Sequence, residues 1–203
     1  MIYVSWDKKL SSDLRKKLFA TKDRVARARG GALWETVKRL KTKSAQLTAA
    51  EFKRPSKDYK GVPSKLIKLR IVPFFASETV AGVRIKDTAG ANISVGRFPQ
   101  DQLEKGVRYY PYKDNSRRFF IPGAFGPKRT KLKGGVYKRE GKKRKPFVIQ
   151  KTFNLTQTWE DFNIKQRSLQ AIDGVFEKQF IKRLKLNDLF DQGKVAVPKG
   201  YFR

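Results

Sequence analysis

The stretch Gly134-Gly135-Val136-Tyr137-Lys138-Arg139-Glu140-Gly141-Lys142-Lys143-Arg144-Lys145-Pro146-Phe147 leaves the chain little choice of local structure. It reads as a short strand, a tight turn with Gly141 at its tip, and a second basic strand that Pro146 closes. Gly135, Val136 and Tyr137 belong to the fold in this reading, Val136 and Tyr137 as packing residues. From Lys105 to Pro146, 15 Lys or Arg residues stand against Asp114 and Glu140 alone. Tyr109, Tyr110, Tyr112, Phe119, Phe120 and Phe125 are threaded through the same region. Charge and aromatics in a Gly-punctuated segment suit a polyanion or a tightly packed assembly.

The rest of the composition narrows the class. A chain of 203 residues with 39 % hydrophobic and 12 % aromatic residues can bury a core. Its 48 basic against 18 acidic residues give a formal charge of +30, and self-repulsion of that size works against the compact state. Nucleic acid, an acidic protein ring or anionic lipid would each compensate it. There is no Cys and no His, so disulfides, thiolate nucleophiles, His-containing triads and Cys- or His-based metal sites are excluded. No P-loop or Rossmann glycine pattern is present. Glu160-Asp161, the adjacent carboxylate pair, reads as the acidic first turn of a helix. These absences argue against an enzyme, and no cofactor or metal is expected. Met1 to Asp7 is too short and polar for a secretory signal, and no apolar run reaches membrane-span length, so a non-secreted, non-membrane protein is expected.

Along the chain, Leu10, Leu14, Leu18 and Val25 predict a helix from Asp7 to about Arg29. Gly30-Gly31 then reads as its end or a sharp bend, and a second helix follows from Ala32 to Ser44, with Leu33, Trp34, Val37 and Leu40 on one side. The basic residues here read as a solvated face, with phosphate or lipid contact as the sharper alternative. A loop is expected from Ala45 to Ser64. Ile67, Leu69 and Ile71 alternate with Lys68 and Arg70 as a strand ending before Pro73. A second strand carries Ala81, Val83 and Ile85. Asp87-Thr88-Ala89-Gly90 turns the chain towards Ile93 and Val95, and Arg117 to Ile121 forms a further short strand. Phe147-Val148-Ile149 extends the second hairpin strand. A helix from Trp159 to about Leu186 carries Leu169, Ile172, Phe176, Phe180 and Leu184, and Asp191 to Arg203 reads as an extended arm.

The expected fold is α+β: an N-terminal helical pair, a central antiparallel sheet with the basic hairpin, and a C-terminal helix packed on the sheet. The corresponding regions are residues 1–62, 63–157 and 158–203 of one structural subunit. The candidate DNA- or partner-binding residues are Lys128, Arg129, Lys131, Lys133, Arg139, Lys142, Lys143, Arg144 and Lys145. Such residues beside Tyr and Phe neutralise phosphates or let bases stack. The same residues also suit a subunit interface or a solvated surface, and the residues alone leave all three open.

Phe119-Phe120-Ile121-Pro122-Gly123-Ala124-Phe125, followed by Gly135-Val136-Tyr137-Lys138-Arg139 and the Gly141 turn to Pro146-Phe147, resembles the bacteriophage minor tail protein Z family. That pattern has a Gly-Ala-Phe segment, a Gly-Val-aromatic-x-Arg strand, a Gly-containing turn and an Arg before a Pro-aliphatic pair. Pro63 to Ile71 is similar to the family's entry into its first strands, and Gly90 to Phe98 to the strand after it. The chain departs from the pattern at Phe147, where an aliphatic is commoner, and at Asn154-Leu155-Thr156, which replaces Gly-Pro-Ser. The resemblance implies a virion protein that completes the head-proximal end of a phage tail, joins head to tail and positions the DNA end. It further implies a homo-oligomeric ring, most simply a hexamer, contacting tail terminator, tube or connector proteins, with phage DNA in its lumen and assembly in the host cytoplasm. The alternative from composition alone is an RNA-binding ribosomal protein. A peripheral protein of anionic membranes is a third reading, resting on the basic N-terminal helix.

Overall fold

A single helix, α1 (Lys22–Glu51), runs through the Gly30-Gly31 pair without a break. Each glycine lowers helix propensity by about 1 kcal/mol relative to Ala. Buried Ala28, Ala32 and Leu33 on either side of the pair hold the helix by tertiary packing, so the expected helix end is not found. The computed structural model describes residues 2–5, 22–57, 59–77, 79–86, 92–114, 117–126, 136–139, 147–149 and 153–191. The first half of the predicted N-terminal helix, the Asp87–Gly90 turn and residues 192–203 lie outside these.

The fold is mixed α+β, with helix at the N-terminal side, antiparallel strands through the middle and helix again at the C-terminal side. The remaining elements are β1 (Ile2–Ser5), α2 (Ser64–Lys68), β2 (Ile71–Phe75), β3 (Val80–Ile85), β4 (Asn92–Ile93), β5 (Gln100–Leu103), β6 (Gly106–Tyr109), β7 (Phe119–Pro122), β8 (Ala124–Phe125), β9 (Tyr137–Arg139), β10 (Phe147–Ile149), β11 (Phe153–Asn154), α3 (Leu155–Asp161), α4 (Ile164–Gln170) and α5 (Val175–Asp191). The strands are divided among small sheets of order β1-β3-β2, β5-β6-β7, β10-β9-β8 and β11-β4. Residues 1–44, 71–84 and 165–203 form one compact unit, and residues 45–70 and 85–164 another.

In the first unit, Ala28 and Ala32 of α1 meet Phe180 and Leu184 of α5, with Val25 and Phe176 packed alongside. Two alanines leave room for the Phe180 ring, which is fully buried. Gly31 has the same function for a polar neighbour: a Cβ there would collide with the Arg183 guanidinium, which reaches Glu35 at 3.8 Å. Ser44 Oγ donates to Ser168 Oγ at 3.0 Å, so two buried hydroxyls satisfy one another. β3 is the middle strand, pairing Tyr3 with Gly82 and Val4 with Ala81 on one side and lying beside β2 on the other. β2 includes Pro73, which lacks an N–H and is tolerated because β2 is an edge. The strand expected over Ile67 to Ile71 is instead the helical turn α2, entered from extended Pro63, and the strand begins at Ile71.

In the second unit, rings form the core. Phe52 lies 5.9 Å from Tyr112 and 5.6 Å from Phe98, Tyr109 stacks on Phe119 at 5.3 Å, and Tyr112 meets Phe162 at 4.7 Å. The end of α1 is tied to this cluster: Lys53 N–H donates to Pro111 O and Lys113 N–H to Glu51 O, each at 3.0 Å. Buried Glu51 is paired with Lys113 Nζ at 2.9 Å. Trp159 Nε1–H donates to buried Thr48 Oγ1 at 3.0 Å. α3 starts at Leu155, where the Asn154 side chain accepts from Thr156 N at 2.9 Å. Glu160-Asp161 therefore closes this helix rather than opening one, and Asp161 pairs with Arg117. The long C-terminal helix expected from Trp159 is three helices, separated where Asn163 (φ 49°) and Gly174 (φ 66°) take the left-handed conformation.

Candidate partner-binding surface

Of the residues singled out by charge, Arg139 lies in the β10-β9-β8 sheet, on its middle strand β9. Register pairs Phe125 with Tyr137 and Ala124 with Lys138 on one side of β9. On the other side Ile149 faces Tyr137, Val148 faces Lys138 and Phe147 faces Arg139. Burial along β9 falls from its start to its end rather than alternating. Tyr137 is buried next to fully buried Val136, and Lys138 and Arg139 are exposed.

The aromatic partners of β9 hold the basic groups in place. Phe125 meets Tyr137 at 6.2 Å, and the Arg139 guanidinium carbon stands 5.8 Å above the Phe125 ring. A cation over a ring face gains electrostatically while keeping its outer donors available. Lys138 passes Gly123 with its Cε in the space beside it, where even a Cβ would make only an ordinary contact. Gly123 has φ 68° and donates its N–H to Lys105 O at 2.9 Å, which turns the chain from β7 into β8.

Gln102 fastens this sheet to its neighbour. Its Nε2 donates to Leu103 O at 2.9 Å, Gly106 O at 3.1 Å and Ala124 O at 3.5 Å, and its Oε1 accepts from Gly126 N at 3.0 Å. One exposed side chain thus bridges β5, the turn into β6, and β8.

Of the candidate residues, Val136, Tyr137 and Arg139 are brought together here. Lys128, Arg129, Lys131, Lys133, Gly135, Gly141, Lys142, Lys143, Arg144, Lys145 and Pro146 lie outside the described residues. What is fixed is their attachment: Arg139 and Phe147 are opposite one another, so residues 140–146 join two paired strand ends.

Two surface features escaped the sequence reading. Trp34, assigned to the buried side of its helix with Leu33, Val37 and Leu40, is 41 % exposed and stacks at 5.5 Å on Phe75, which is 48 % exposed. Lys38 Nζ lies 5.1 Å over the Trp34 ring and 3.2 Å from Glu35. No signal in the local pattern marks Trp34, because it adjoins Leu33 at the rim of the apolar stripe. The second feature, Lys178, Lys182 and Lys185 on α5, has a helical spacing that could have found it, but the apolar stripe of Phe176, Phe180 and Leu184 takes its place in the sequence reading. Among the described residues no group of three or more His, Cys, Asp or Glu could hold a metal ion, and no helix is long and apolar enough to cross a membrane. The chain matches no protein-family model, no curated protein and no solved structure.

Proposed function

We propose that this chain is a structural protein of a tailed bacteriophage, a tail-completion or neck subunit acting without catalysis at the head-proximal end of the tail. The observation that carries the reading is a coincidence of sequence order and sheet order. Gly123-Ala124-Phe125, Gly135 to Arg139 and Pro146-Phe147 are separated pieces of the family-like pattern, and they supply the neighbouring strands β8, β9 and β10. Consecutive strands commonly pair, so this sheet supports the reading by being consistent with the pattern's order.

In this reading β9, residues 140–146 and β10 form a basic hairpin with Gly141 in its turn, and Arg139 with Lys142, Lys143, Arg144 and Lys145 meets the partner. Lys128, Arg129, Lys131 and Lys133 add to the same charge in the sequence between β8 and β9. The chain works as a homo-oligomeric ring, most simply a hexamer, docking on acidic neighbours such as a terminator, tube or connector ring, with DNA passing through the lumen. A charge of +30 per copy then has a compensating environment in the particle.

The test is a phage carrying Lys142→Glu, Lys143→Glu and Arg144→Glu. The expected result is unjoined heads and tails or particles that lose their DNA, with the purified variant retaining the parent circular dichroism spectrum. Intact, infectious particles at parental yield would overturn the assignment of this hairpin, and purified protein showing no ring by native mass measurement or negative stain would overturn the ring.

A further inference from the structure

Lys178, Lys182 and Lys185 of α5 are all exposed, and among the described residues none of their side chains has an ion pair or hydrogen bond. They stand at i, i+4 and i+7, so at about 100° per residue they share a narrow arc of the helix. The opposite arc carries Phe180 and Leu184, which face Ala28 and Ala32. The stripe therefore points away from the core of its unit. At a rise of about 1.5 Å per residue it spans about 10 Å along the axis. Like charges at these spacings repel, and among the carboxylates whose side chains are described none relieves them: Glu35 is engaged by Lys38 and Arg183, and Glu177, in the first turn of α5, has no bond to any of the three.

The chemistry of the stripe selects the partner. Protein interfaces are anchored by aromatic side chains and Arg and are depleted in Lys. Among the described side chains this arc has only Lys, a compact mobile cation that pairs with an anionic oxygen without fixed geometry. Evenly stepped cations without an aromatic anchor or a base-reading side chain match a phosphate backbone, whose negative charges recur along a line. We propose that the outer face of α5 is a sequence-independent contact for the phosphate backbone of duplex nucleic acid. The proposal stands on α5 alone and does not need the particle assignment above.

The test measures binding of the full chain to two unrelated 25-base-pair DNA duplexes over a series of salt concentrations. The parent is compared with the Lys178→Gln, Lys182→Gln, Lys185→Gln triple and with a charge-matched control, Lys60→Gln, Lys65→Gln, Lys68→Gln, whose lysines are also exposed. Each released phosphate contact removes about 0.9 from the slope of log K against log salt. The α5 triple is expected to lose about 2 to 3 of that slope on both duplexes, while the control keeps the parent slope. A Lys178→Arg, Lys182→Arg, Lys185→Arg triple should restore it. The proposal is overturned if the α5 triple keeps the parent slope, or if both glutamine triples lose it equally, which would mean net charge alone. It is also overturned if DNA binding is unchanged while binding to poly-glutamate falls, which would make the partner an acidic protein. Because this assay uses purified protein and free DNA, its failure and a failure of particle assembly are read separately.

Discussion

Tyr112 shows how much one buried ring can be asked to do. It closes the bridge to Phe52, touches Phe119 and Phe162, and places its hydroxyl 3.5 Å from Thr158 Oγ1. Burial raises its phenol above the ordinary value of 10.0, with Thr158 opposing and Asp161 adding to the rise. The folded chain thus holds this proton more tightly than the unfolded chain. The contribution is fully present below pH 10.0 and is lost as pH rises through the higher folded value. Chemical denaturation of the parent and Tyr112→Phe from pH 8 to 11.5 should show the variant weaker by about 0.5–1 kcal/mol at neutral pH. The gap should narrow above pH 10. A constant gap across the range would remove the titration argument. Tyr137 and Arg139 share one face of β9, and what separates the buried Tyr from the exposed Arg is side-chain chemistry, which the sequence displays. Trp34 could not be sorted that way, because a residue at the margin of an apolar stripe is assigned by the shape of its neighbours.

At the scale of elements, pairing is controlled by contacts that no local pattern displays. Gly106 opens β6 opposite Leu103 and Pro122, and a Cβ there would collide with the Ile121 carbonyl oxygen and press on the Phe120 ring. Gly106→Ala should therefore cost about 1–3 kcal/mol, in the range of overpacked sites. A thermal melt reads the loss, and a midpoint equal to the parent's would show that β7 gives way freely. The strands over Ala81 to Ile85, Phe119 to Ile121 and Phe147 to Ile149 were legible because alternation or breakers marked them. The helix boundaries were less so. Gly30-Gly31 reads as a stop, but packing on α5 outweighs its propensity, whereas Asn163 and Gly174 break the C-terminal helix at points its apolar stripe crosses smoothly. The alternation of Ile67, Leu69 and Ile71 misled for a related reason. Ile67 is fully buried and Leu69 is 63 % exposed, so the two do not share a strand face.

For the whole molecule, charge is the dominant constraint. With +30 unscreened, self-repulsion should lower stability in dilute buffer, and the screening length falls from about 30 Å at 0.01 M salt to about 8 Å at 0.15 M. The melting temperature should rise between those two conditions. A flat profile would mean that bound counteranions already neutralise the field. The candidate site was legible as a density of Lys and Arg beside aromatics, and its strand pairing followed from Gly and Pro punctuation. The anchoring by Gln102 was not, because a polar side chain reaching Leu103, Gly106 and Ala124 leaves no periodic trace. The facing ends of β9 and β10 carry one more consequence. Since Arg139 and Phe147 are held by backbone pairing, the seven residues between them can be exchanged, lengthened or recharged at small entropic cost. The partner contact proposed above could then be retuned while the scaffold beneath it stays the same.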